Sequence, residues 1–335
     1  MRISLSADLT TFFSGKKIVV AGGAGFIGSH LSEVLEELGA EVTVVDNFIT
    51  GSKQNISHLN CRVIEADVST AAESYFPLDY VPDAILHFAS PASPPKYQAH
   101  PVETYQVNSV ATHNLLQYLS SKNAQGRFLF ASTSEVYGDP EEHPQKETYW
   151  GNVNPNGIRS CYDESKRLGE SICGVHSRNF GMDVRIVRIF NTYGPRIDLD
   201  DGRVVPDFIK NGLNNQPLKI FGDGNQTRSY CFVTDLVDGV LSVLAKDGLA
   251  GETINLGNPR ELTVLKTAEV VHNIIHDNTS FDIDKDVVFQ PLPTDDPRRR
   301  CPDISKAISL LSWQPKVSFE DGVRETVEYI RRSRE

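Results

Sequence analysis

The sequence lacks a long apolar run, a cysteine pair at metal-ligand spacing and any large cluster of basic charge, and each absence removes a class of function. Nowhere in its 335 residues do about 18 apolar residues run together, as a bilayer-spanning helix requires. The opening "MRISLSADLTTFFSGKK" also lacks the apolar centre of a secretion signal, so a soluble chain with no membrane partner is expected. The five cysteines (Cys61, Cys161, Cys173, Cys231 and Cys301) form no CxxC pair. An odd, scattered set suits reduced thiols in the cytoplasm better than a disulfide framework, and no metal site is expected. With a formal net charge of −11, the chain has no overall field to attract nucleic acid, and the densest basic run is only Arg298 to Arg300. Repeats, low-complexity tracts and flexible linkers are missing too, so any domains must pack closely.

What the sequence has is alternation. "KKIVVAG" reads as a buried strand, "FIGSHLSEVLEELG" as an amphipathic helix ending at Gly39, and "EVTVVDN" as a second strand. "CRVIEADV", "AILHFAS", the helix-like "HPVETYQVNSVATHNLLQYLSS" and "RFLFAS" continue the rhythm. Such β-α-β order predicts an α/β fold with a Rossmann-like, doubly wound parallel sheet joined by right-handed crossovers.

The first strand-to-helix turn, "AGGAGFIG", places Gly22, Gly25 and Gly28 around Phe26 and Ile27. Without Cβ atoms there, backbone can turn tightly and present helix N-terminal amides to a pyrophosphate. Asp46 ends the next strand, where a carboxylate holds ribose hydroxyls and repels a 2′-phosphate, which favours NAD over NADP. Lys53 in "TGSK" is the one nearby group that offers a phosphate partner. Downstream, "CYDESKR" sets Tyr162 and Lys166 four apart on one helix face. An ammonium there is expected to lower the phenol's pKa and ready it as a base. On its own such a pair more often marks a solvated face, but here it follows a cluster at a strand end, Thr133, Ser134 and Glu135 in "ASTSEVYGDP".

Together these features resemble the extended short-chain dehydrogenase/reductase family, specifically its nucleotide-sugar members, from about Lys17 to about Ile330. "HFASPASPPKY", "YWGNVNPNGIRSCYDESKR", "RIFNTYGPR", "DGRVVPDFI" and "DDPRRRCPDI" are similar to the members that decarboxylate UDP-glucuronate. The dehydratases carry Asp-Glu where this chain has Ser134-Glu135, and epimerases usually lack the glutamate. The resemblance implies NAD-dependent conversion of UDP-glucuronate to UDP-xylose through a 4-keto intermediate, with NAD regenerated; a 4-epimerase or 4,6-dehydratase is the alternative. Tyr162, held by Lys166 and assisted by Thr133, would take the C4 hydroxyl proton. The β-keto acid would lose CO2, and Glu135, Ser134 or a water they hold would protonate C5.

By the same resemblance Arg300 reaches the sugar carboxylate, against a plain reading of "RRR" as a solvated run. Tyr97 lines the sugar pocket, and Asn191, Arg203, Lys219, Phe221 and Arg228 contact the rest of the nucleotide sugar. Asn47, Phe48, Thr50 and Gly51 flank the adenosine, Asp67 and Val68 match adenine contacts, and Phe88, Ser90 and Ala131 complete the cofactor site. The resemblance further implies a cofactor domain over 15–190, completed by about 228–258. A smaller nucleotide-sugar-binding domain would comprise 191–227 and 259–335. It also implies a homodimer through the helices of "VETYQVNSVATHNLLQYL" and "YDESKRLGESICGVHSRNF".

Overall fold

The structure is a computed structural model that describes residues 7–277, 279–291 and 299–334. Its centre is the run "KIVVA", strand β1 (Lys17–Ala21), buried along nearly its whole length. Beside it on one edge lie β2 (Glu41–Asp46) and β3 (Arg62–Glu65). On the other lie β4 (Ala84–His87), β5 (Arg127–Thr133), β6 (Asp183–Ile189) and a seventh strand, Thr253–Leu256. Every pairing is parallel.

Alternation along each strand divides the apolar residues between two faces. Ile18, Val20, Val44, Leu86 and Leu129 join a core with the helices Phe26–Glu37 and Val233–Ala245. Val19, Ala21, Val45, Ile85, Phe128 and Phe130 join the opposite core, with the helices Pro101–Lys122 and Ser160–Phe180. A sheet covered on both faces needs near-continuous apolar strands, which is why "KIVVA" and "RFLFA" read so plainly. Each such side chain contributes roughly 1.5–3 kcal/mol on burial. The outermost strand differs: "CRVIEADV" yields only Arg62–Glu65, with Val63 exposed, because an edge strand has a neighbour on one side only.

Residues beyond β6 build a separate core, apart from the two on the sheet faces, from Tyr193, Phe208, Ile220, Val271, Phe319 and Val323, and it is the core of a second lobe. Its helices are Val204–Leu213, Val264–Ile275 and Phe319–Arg334, packed with a parallel pair of short strands, Leu218–Phe221 and Val287–Gln290. Strand order reverses between β1 and β4, so a crevice opens at the carboxyl ends of these strands, where open α/β sheets hold ligands. Among the described residues no helix is long and apolar enough to cross a membrane.

Candidate active site

The chain leaves β1 at Gly22 with φ +80°, where a Cβ would lie 2.5 Å from the Ala89 nitrogen. A Cβ on Gly28 would come within 2.0 Å of the Gly22 carbonyl, so turn and helix meet backbone to backbone. Gly25 is different. A Cβ there would meet only the Gly22 carbonyl, at 3.2 Å, and no side chain caps the helix that starts at Phe26. Its first amides are left for an anionic group.

Asp46 braces this turn. Its Oδ2 accepts the Ala24 N–H at 2.9 Å and its Oδ1 the Phe48 N–H at 2.8 Å. Burial raises the Asp46 carboxyl above its ordinary value, and those two N–H groups work against the rise. The adjoining cleft gathers Gly22, Gly25, Asp46, Asn47, Thr50, Gly51, Asp67, Val68, Phe88 and Ser90. Phe26, Ile27 and Phe48 pack instead against the apolar core beneath. Lys53 pairs with Glu65 at 2.7 Å, so its charge is already matched by a carboxylate of the chain.

β5 ends at Thr133, whose Oγ1 accepts the Glu135 N–H at 3.2 Å and opens a single tight turn, Ser134–Tyr137. Facing it are Tyr162 and Lys166, both buried, one turn apart on Ser160–Phe180. Lys166 Nζ donates to the Ala131 carbonyl at 2.7 Å and lies 5.8 Å from the Tyr162 ring centroid. One expectation is corrected here. Burial raises the Tyr162 phenol above its ordinary value, and the groups that pull it down are Thr133, by a hydrogen bond, and the Arg203 charge. Lys166 is not among the leading influences on it, and burial lowers the Lys166 ammonium itself to about 7. Within the protein's own groups Lys166 is an orienting donor.

The Glu135 carboxylate meets two arginines. Arg300 grips it with both Nη atoms, Nη2 to Oε2 at 2.7 Å, and Arg159 Nη2 reaches Oε2 at 2.5 Å. Burial opposes ionisation, yet Arg300 and then Arg159 hold the carboxyl down at about 2. Glu135 is therefore an acceptor at neutral pH, which among the three expected C5 donors favours Ser134 or a held water over Glu135 itself. Arg300 is only 6% exposed, so the solvated-run reading fails for it; Arg299 is exposed, and Arg298 lies outside the described residues. Arg300 Nε, Asp163 Oδ1 and the Tyr97 hydroxyl are buried without a hydrogen-bond partner among the described residues.

Arg159 and Asp163 were not singled out in the sequence. Their i,i+4 spacing across Tyr162 in "RSCYD", with Arg159 Nε 3.8 Å from Asp163 Oδ2, was the available signal. Tyr97 stacks on Tyr162 with centroids 5.1 Å apart and planes 6° from parallel. Arg203 pairs through Nε and Nη2 with Asp201, and its charge reaches Tyr162 and Glu135. Arg228 is buried on the strand Thr227–Ser229, with Nη1 donating to the Thr227 carbonyl at 2.9 Å. The next residue, Ser229, donates to the Arg300 carbonyl at 3.3 Å, which sets this strand against Arg300. Lys219 and Phe221 alternate outward on one face of Leu218–Phe221. The Asn191 carbonyl accepts the Cys231 N–H at 2.9 Å.

His143, Glu261 and Cys301 bring ligand-type atoms within 4.8 Å of one another. Gln145 lies beside this cluster. Its Oε1 accepts the Cys301 N–H and its Nε2 donates to the Glu142 carbonyl, so an amide N–H faces His143 Nδ1 at 3.5 Å. His143 Nε2 lies 2.9 Å from Glu261 Oε2. All five cysteines are free.

The chain is 48% identical over 319 residues to UDP-glucuronic acid decarboxylase 1 of Arabidopsis thaliana, covering 94% of this chain and 70% of that protein. It is 45% identical over 324 residues to UDP-glucuronic acid decarboxylase 1 of Danio rerio, covering 96% and 74%. The crystal structure of a UDP-glucuronic acid 4-epimerase Y149F mutant from Bacillus cereus, in complex with UDP-4-deoxy-4-fluoro-glucuronic acid and NAD, superposes with a TM-score of 0.83. That match has 29% identity and covers 95% of this chain and 99% of that one. Residues 18–257 match the NAD dependent epimerase/dehydratase family as a whole, and the chain belongs to that family.

Proposed function

We propose that the chain decarboxylates UDP-glucuronate to UDP-xylose with NAD as an internal redox cofactor. The observation that carries this is the buried Arg300, whose guanidinium fork grips the Glu135 carboxylate and so sets a carboxylate-binding group against the turn that follows Thr133. Arginine suits a carboxylate because its planar fork binds two oxygens at once. The identities to decarboxylases of a plant and a fish support the same reading.

The residues present fit NAD. The open approach at Gly25 and the uncapped helix amides suit a pyrophosphate, and Asp46 at the end of β2 suits ribose hydroxyls. When bound, NAD accepts two electrons from C4 of the sugar and later returns them, so no external reductant is consumed. In its ionised form Tyr162, assisted by Thr133, takes the C4 hydroxyl proton and returns it to O4 at the end, while Lys166 holds the helix face through the Ala131 carbonyl. With a ketone at C4, the C6 carboxylate is β to a carbonyl. The C5–C6 bond breaks, CO2 leaves, and the electron pair spreads into an enolate oxygen that the protonated Tyr162 stabilises. Arg300 and Arg159 hold the carboxylate for that loss. A water held by Ser134 and Glu135 hands a proton to C5 and regains one from solvent, so each turnover consumes one proton, with Glu135 accepting a hydrogen bond from that water.

Residues 15–190 with about 228–258 form the cofactor lobe in this reading, and 191–227 with 259–335 bind the nucleotide sugar. The helices Pro101–Lys122 and Ser160–Phe180 pack side by side and expose Tyr105, Val110, Leu168 and Val175. A second copy covering these in a four-helix bundle gives a homodimer, and the free thiols suit the cytoplasm. Product analysis tests the activity: UDP-glucuronate and the NAD-loaded protein should yield CO2 and UDP-xylose with no lasting rise in reduced-nicotinamide absorbance. UDP-galacturonate as the main product would overturn the reading in favour of 4-epimerisation, the activity named for the Bacillus cereus neighbour.

A further inference from the structure

Among the described residues Glu135 and Asp163 share the Arg300 pocket with the guanidinium groups of Arg300 and Arg159, and the two carboxyls are not equivalent. Glu135 takes a two-pronged contact from Arg300 and a second from Arg159. Asp163 has only the distant Arg159 Nε, 3.8 Å from Oδ2, while Oδ1 is buried with no hydrogen-bond partner among the described residues. The residue is only 7% exposed, so bulk water does not compensate for the missing donors. Charged and titratable neighbours face it from every side. Glu135 comes from the turn after β5, Arg300 from its own segment and Tyr97 from the helix Pro94–Ala99. Cys161, Tyr162 and Glu164 lie on its own helix, with Arg159 just before that helix.

A glucuronosyl substrate brings a further carboxylate to this pocket, and its charge raises the cost of keeping both Glu135 and Asp163 ionised. The carboxylate with the fewest donors is the one whose protonation costs least. We propose that Asp163 takes up one proton when the substrate carboxylate binds. Asp163 is thereby a positioning residue: as a neutral acid it stops competing with Glu135 and the sugar for the Arg159 and Arg300 charges. This inference rests on the decarboxylase reading given above. The pH window follows from the free site, where burial and then Glu135 raise the Asp163 carboxyl to about 7 against Arg159 and Arg300. Above that value Asp163 is ionised before binding and gains a proton on binding. Well below it, the proton is already in place.

The test uses NAD-loaded Tyr162→Phe protein, which lacks the base and so binds without turnover. Calorimetric titration in buffers of different ionisation enthalpy counts the protons taken up. At about pH 8, UDP-glucuronate should bind with uptake approaching one proton, falling toward none at about pH 6. UDP-glucose, with a hydroxymethyl group in place of the carboxylate, should show no such uptake at either pH. Adding Asp163→Asn should leave UDP-glucuronate binding without uptake. Equal uptake for both sugars, or uptake that persists in the Asp163→Asn variant, would overturn the proposal. Should that variant not fold, the comparison of the two sugars at the two pH values decides alone. Failure of the unsubstituted protein to form UDP-xylose would refute the decarboxylase reading; UDP-xylose formed without proton uptake on binding would refute only the role of Asp163.

Discussion

Gly22, Gly25, Gly28 and Asp46 lie within one continuous β-α-β run, whereas Glu135 and Arg300 meet across 165 positions. The first region is made by backbone: close approaches that exclude a Cβ, uncapped amides, and a carboxylate that ties two N–H groups. The second is made by side-chain charge taken out of water, in which each group depends on its partners. A backbone site tolerates change in any side chain that does not enter it. A buried ionic site does not, because removing one partner leaves another charge unmatched.

The sharpest way to separate the two regions is to remove the base between them. Tyr162→Phe should lower UDP-glucuronate turnover by about a thousandfold or more, while NAD binding measured by calorimetry stays at the parent value. Loss of NAD binding would mean that the two regions are not independent. Next in size is Arg300→Ala. Decarboxylation should fall by about a hundredfold or more, as when a buried charged partner worth roughly 3 kcal/mol is lost. The melting temperature should fall as well, since Glu135 keeps only Arg159. Arg300→Lys should recover little, because a point charge cannot reproduce the two-pronged contact. Parent-like rates in Arg300→Ala would show that the pocket serves another group.

These same properties decide what could be read in the sequence. The sheet was legible because strands buried on both faces are apolar throughout, as in "KIVVA", and the turn was legible because its requirements fall on neighbouring residues. The short pairings of the second lobe were not, since strands of two to four residues hold too little periodicity. In the pocket, Tyr162, Lys166, Glu135 and Arg300 came from motifs. Their electrostatics did not: that Lys166 spends its donor on the Ala131 carbonyl, and that two arginines keep Glu135 ionised, follow only from what folding places beside them. Arg159 and Asp163 went unread because a helical i,i+4 ion pair is ordinarily a surface feature.

A smaller effect probes the backbone region. The parent protein should prefer NAD to NADP by at least about tenfold, roughly 1.4 kcal/mol. Asp46→Asn should narrow that preference, because it removes the charge that repels a 2′-phosphate while keeping an oxygen for one of the two N–H groups. Equal binding of both cofactors by the parent would assign Asp46 to bracing alone.

The smallest effect lies within the ionic pocket, where two carboxyls act on stability with opposite signs. The Glu135 carboxyl is held at about 2, below its usual 4.5, so its contribution is present above about 4.5 and lost as pH falls through about 2. The Asp163 carboxyl is raised to about 7 from 3.8, so folding binds a proton there. Its contribution is fully present below 3.8 and lost as pH rises through about 7. Between pH 8 and pH 5 the parent should therefore gain stability that Asp163→Asn, already neutral, does not gain. Thermal melts of the two proteins across that range should show their melting temperatures drawing together by a few degrees as pH falls. The other titrating groups are common to both proteins and cancel in the difference. A difference that stays constant from pH 8 to pH 5 would place Asp163 among ordinary carboxylates and remove the contrast with Glu135.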